Sequence, residues 1–116
     1  MERIWRAPKK VDSTEEWLYA ALAELPDFYP KRMFGGVGLF SEGMMFGVLF
    51  GGRLYFKTDE ATRRDYLAQG MKPFRPNPRV TLHRYYEVPA EVMAEETELM
   101  RWARRALLSV TPSPGA

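Results

Sequence analysis

The sequence has no cysteine and a single histidine, His83, in 116 residues. Without cysteine there are no disulfides, thiolate metal sites or cysteine nucleophiles, which fits a reducing compartment. One histidine excludes the two-histidine zinc motifs. A Ser–His–acid triad would have to use His83, yet no serine sits in a nucleophile-elbow pattern. No apolar run is long enough to cross a bilayer. The N-terminal MERIWRAPKK carries charge without an apolar core, so it does not read as a secretory signal. A cytoplasmic location with no membrane partner is expected. No Gly-Lys pair exists, which removes the P-loop. The dinucleotide fingerprint is also incomplete: Gly36-Val37-Gly38 supplies its first half, and Ser41 stands where the third glycine belongs. The sequence therefore offers no catalytic set, no cofactor and no metal.

What is present fits one domain with a core of its own. A flexible arm is expected over residues 1–10, a folded domain over 11–110, and a disordered Pro- and Gly-rich tail over 111–116. The stretch MFGGVGLFSEGMMFGVLFGG, residues 33–52, is apolar, rich in glycine, and holds one charge, Glu42. It reads as strands over 33–40 and 44–50, followed by a third over 53–58, with turns at Ser41-Glu42-Gly43 and Gly51-Gly52. The other glycines would thin one side of the sheet or host a bulge. Alternation puts Met44, Phe46, Val48 and Phe50 on one face and Met45, Gly47 and Leu49 on the other.

Ser13 with Glu16 fits a capping box opening a helix whose apolar side is Trp17, Leu18, Ala21, Leu22 and Leu25, ended by Pro26 and followed by an extended loop at Pro30. A second helix runs from an Asp59 cap to Gly70, docking Tyr66 and Leu67. Short strands follow over 71–74, near an edge because of its prolines, and over 80–88, with Val80, Leu82 and Tyr86 inward. Pro89 opens a short helix to Met93. Thr97 caps the last helix, with Leu99, Trp102, Ala103, Ala106, Leu107 and Val110 as its apolar stripe. The carboxylate groups Glu15–Glu16, Asp59–Glu60 and Glu95–Glu96–Glu98 all sit at helix starts. Capping and the macrodipole account for them without a catalytic pair.

Two surfaces stand out. Met45, Leu49, Arg53, Tyr55 and Lys57 share the thinner sheet face and form a candidate protein-contact surface, including one for self-association. The run MKPFRPNPRVTLHRYY carries Lys72, Arg75, Arg79 and Arg84 with interleaved aromatics such as Tyr85, and no carboxylate. With Arg101, Arg104 and Arg105 of the last helix it forms a candidate nucleic-acid patch. The alternative reading of that run is a solvated hairpin whose charges guard an edge.

The segments KRMFGGVGLF, GMMFGVLFGGRLYFKTDEATR, GMKPF, YYEVP and ELMRWARRAL resemble the N-terminal domain of the TfoX/Sxy family, regulators of bacterial competence genes. The resemblance runs from about Val11 to Val110. It implies an α+β, two-layer sandwich: an antiparallel five-stranded sheet with helices on one face, in the order helix, three strands, helix, two strands, helix. It further implies a transcription co-regulator without enzymatic activity or cofactor. Full-length members add a C-terminal domain similar to helix-hairpin-helix modules, and this sequence ends before one, as expected of a stand-alone domain. The expected function is a non-enzymatic regulatory or protein-interaction module. Its partner is a protein, either transcription machinery or a second copy in a homodimer. The alternatives are direct nucleic-acid binding, or a small-molecule or enzymatic pocket near Tyr55 and His83.

Overall fold

Short turns with positive φ build the sheet. Glu42 and Gly43 have φ of 51° and 80°, and Gly51 and Gly52 have 60° and 78°. These are the paired left-handed residues a two-residue type I′ hairpin requires. The computed structural model describes residues 13–33 and 35–110. The expected arm and tail lie outside the described residues, as does the Ser13 side chain of the expected capping box.

In chain order the elements are α1 (Ser13–Leu22), β1 (Phe28–Met33), β2 (Gly36–Ser41), β3 (Met44–Phe50), β4 (Arg53–Lys57), α2 (Glu60–Ala68), β5 (Pro73–Asn77), β6 (Val80–Glu87), α3 (Ala90–Met93) and α4 (Glu96–Val110). The strands form one open sheet in the order β1-β2-β3-β4-β6-β5. Every neighbouring pair is antiparallel. The α+β class stands, but among the described residues the sheet has six strands rather than five. The extra one is β1, which the sequence places in an extended loop at Pro30. Proline removes a ladder donor, and an edge strand tolerates that on its outer side. The strand expected over 71–74 is instead β5, at the other edge, running to Asn77.

The core lies between the helices and one face of the sheet. Leu18 and Leu22 of α1 and Leu99 and Ala103 of α4 pack with Leu39, Phe46, Leu54 and Phe56. Most are fully buried, and burying one large side chain of this kind stabilises by about 1.5–3 kcal/mol. Trp17, expected on that side, remains 38% exposed. Leu67 of α2 is 55% exposed, so Tyr66 is the one buried side chain of that helix, edge-on to the Trp102 ring at 4.7 Å. Val80 and Leu82 are likewise exposed, because they lie towards the tip of the β5–β6 hairpin.

Helix ends are closely specified. Asp59 and Thr62 make a reciprocal capping box at the start of α2. At its end Gly70, at φ 75°, donates to the Leu67 carbonyl while Met71 donates to that of Tyr66. Those two bonds are a Schellman motif. The cap of α4 is Glu95, whose carboxylate accepts from the Glu98 N–H at 2.9 Å, and not Thr97, which lies inside the helix.

Candidate protein-contact face

An irregularity between β2 and β3 decides which side chains of β3 leave the core. Leu39 pairs with Gly47 but Phe40 pairs with Met45, so Phe46 is an extra residue in β3. Such a bulge shifts the alternation by one. Before it, Met45 faces away from the helices. After it, Leu49 pairs with Leu54 and is buried in the helix-side core. Leu49 is therefore not part of the contact surface the sequence proposes. The simple alternation also misplaces Val48 and Phe50, which share the side of Met45 and not that of Phe46.

The face that carries no helix among the described residues can be followed strand by strand. Tyr29 pairs with Phe40, Lys31 with Gly38 and Met33 with Gly36. Gly38 meets Val48, and Phe40 meets Met45. Val48 faces Tyr55, and Phe50 faces Arg53. Tyr55 faces Glu87, and Lys57 faces Tyr85. Met45, Arg53, Tyr55 and Lys57 thus share a face as expected. Tyr29, Met33 and Phe40 join them, unforeseen because the sequence leaves Tyr29 in a loop and assigns no face to the strand over 33–40.

Near β1 this face is an aromatic and thioether platform. The Tyr29 and Phe40 rings stack at 5.1 Å with only 5° between their planes, and Tyr29 is 42% exposed. Gly38 forms the floor: a Cβ there would lie 2.6 Å from the Met33 sulfur and 3.1 Å from that of Met45. The absent side chain lets two flexible thioethers lie close to the strand, and such side chains adapt readily to a partner. The Tyr85 hydroxyl donates to the Met45 carbonyl at 3.3 Å, and burial raises its pKa. Towards β5 the same face closes into a small second core. Phe74 is buried there, 4.6 Å from the Tyr55 ring and 5.3 Å from that of Phe50, beside buried Val48.

Beyond Tyr55 lies a groove of about 460 Å³, lined by Arg53, Tyr55, Lys72, Pro73, Arg75, Thr81 and Glu87. Both Glu87 carboxylate oxygens accept from Arg53 Nη1, at 3.0 and 3.2 Å. Arg75 Nη2 donates to the Pro78 carbonyl at 2.7 Å. Burial, then the neighbouring Glu87 carboxylate, raises the Tyr55 pKa against a smaller opposing effect of Arg53, so its hydroxyl is protonated at neutral pH.

The expected nucleic-acid patch is divided. Lys72 and Arg75 line this groove, and Arg79 sits in the β5–β6 turn. Arg84 and His83 line a different cleft of about 420 Å³, with Thr58, Asp59, Glu60, Arg63 and Ser109. Arg101 and Arg105 belong to the helical layer, where they pair with Glu98 at 2.8 Å and Asp65 at 2.6 Å. Arg104 is exposed on that same helix. Tyr85 is half-buried, its hydroxyl committed to β3. Tyr55 lines the first of these two clefts and His83 the second.

Among the described residues there is no group of three or more His, Asp or Glu side chains suited to a metal ion, and no helix long and apolar enough to cross a membrane. A comparison with curated proteins gave no match. The profile of the TfoX N-terminal domain family matches residues 20–109, from within α1 almost to the end of α4, and the chain belongs to that family.

Proposed function

We propose that this chain is a non-enzymatic, cytoplasmic regulatory module that works by docking a protein partner on the sheet face its helices leave open. One observation carries the reading. That face presents Tyr29, Met33, Phe40 and Met45 together, with Lys31, Arg53 and Lys57 on the same side. Apolar and aromatic groups within a polar rim are the anatomy of a recognition surface. Family membership supports the reading through the regulatory role its resemblance implies, with transcription machinery as the partner of choice.

Affinity capture from the source cell at near-native expression tests this. The tagged wild type is compared with Tyr29→Glu/Phe40→Ser on the open face and with Leu67→Ser on the helical layer, all checked for native circular dichroism. The expected outcome is a captured protein lost in the first variant and kept in the second. Equal capture by all three would remove the open face from the account.

A further inference from the structure

We propose that the groove between β4 and the β5–β6 hairpin takes an acidic, extended segment of that partner, its carboxylates held by Lys72, Arg75 and Arg53 and its apolar side chains laid on Tyr55 and Pro73. This inference rests on the protein-docking reading and names the chemistry of the partner. The groove continues the open face through Tyr55, which pairs with Val48 on one side and Glu87 on the other. Its volume of about 460 Å³ lies within the range of ligand clefts.

Charge selects the occupant. Three cations and one carboxylate line the groove, and both oxygens of that carboxylate already accept from Arg53. Lys72 is exposed and has no ion-pair partner among the described residues. Arg75 is steadied by Pro78 through one nitrogen, leaving its other N–H donors for a ligand. A second copy of this chain would bring cations against cations, which disfavours self-association through this groove. A nucleic acid fits less well. The arginines of α4 lie on the other layer and Arg84 lines a different cleft, so the cations form no continuous track for a phosphate backbone. Pro73 and Pro76 lack N–H groups, so β5 cannot offer a continuous ladder to an added strand. Recognition therefore falls to side chains.

The test is a titration of the ¹⁵N-labelled chain followed by amide chemical shifts. The probes are an octapeptide alternating glutamate with leucine, its glutamine counterpart, and an oligothymidylate of equal length. The glutamate peptide is expected to shift the amides of Arg53, Tyr55, Lys72, Arg75 and Thr81. Its affinity should fall about tenfold in Lys72→Glu/Arg75→Glu, fall measurably in Lys72→Glu alone, and weaken as salt is raised. The glutamine peptide should leave the spectrum unchanged. Unmoved groove amides, unchanged binding by the double variant, or tighter binding of the oligothymidylate would each overturn the inference. If the capture experiment above identifies an open-face partner while the glutamate peptide fails here, the acidic-segment inference falls and the docking reading stands. If capture shows no dependence on the open face, both fall.

Discussion

Gly36 and Gly38 are two residues apart on one strand, and each leaves room for something different. A Cβ on Gly36 would meet the Leu49 backbone oxygen at 2.6 Å and the Phe50 ring at 2.9 Å. Backbone in the middle of a sheet cannot move aside. A Cβ on Gly38 would meet the ends of Met33, Phe40 and Met45, which can swing outward. Overpacking costs about 1–3 kcal/mol, so Gly36→Ala should fall at or above the top of that range and Gly38→Ala near the bottom. Urea unfolding of both variants measures the difference, and a larger loss for Gly38→Ala would contradict the close packing described here. The sequence shows these glycines to be structural, because no helix follows them to form an anion site. It does not show which atoms they admit, since those come from strands brought alongside by folding.

Among the elements, legibility follows how local each determinant is. Both I′ turns, the Asp59 cap and the Gly70 terminus are set by residues within a turn of one another, and each is readable. The bulge at Phe46 is a mismatch between two strands, invisible in either one alone. It accounts for the misplacement of Val48, Leu49 and Phe50. β1 escapes for a related reason: Pro30, Lys31 and Arg32 are loop-like residues that an edge strand uses to discourage further pairing. The cap of α2 has a pH consequence. The backbone hydrogen bond from Thr62 is the main cause that lowers the Asp59 pKa. A carboxyl depressed on folding adds stability above its ordinary range and loses it as pH falls through the folded value. Asp59→Ala should therefore cost about 1 kcal/mol near neutrality. Its deficit against wild type should shrink as pH drops below the usual carboxylate range. Chemical denaturation across that pH series checks the sign, and a gap that widens towards acid would contradict it.

The whole molecule is a sheet clothed by helices on one side and left with a mosaic of aromatic, thioether and basic groups on the other. Helices on one face are already expected from the sequence, but the aromatic platform on the other is not, because Tyr29 and Phe40 meet only once β1 is recognised as a strand. The most direct measurement uses a photoreactive phenylalanine analogue in place of Tyr29 on the open face and, separately, in place of Leu67 on α2. Cells expressing each form are irradiated and covalent adducts identified by mass spectrometry. The account predicts a discrete adduct with another polypeptide from position 29 and none from position 67. An adduct from position 67 with none from position 29 would contradict it.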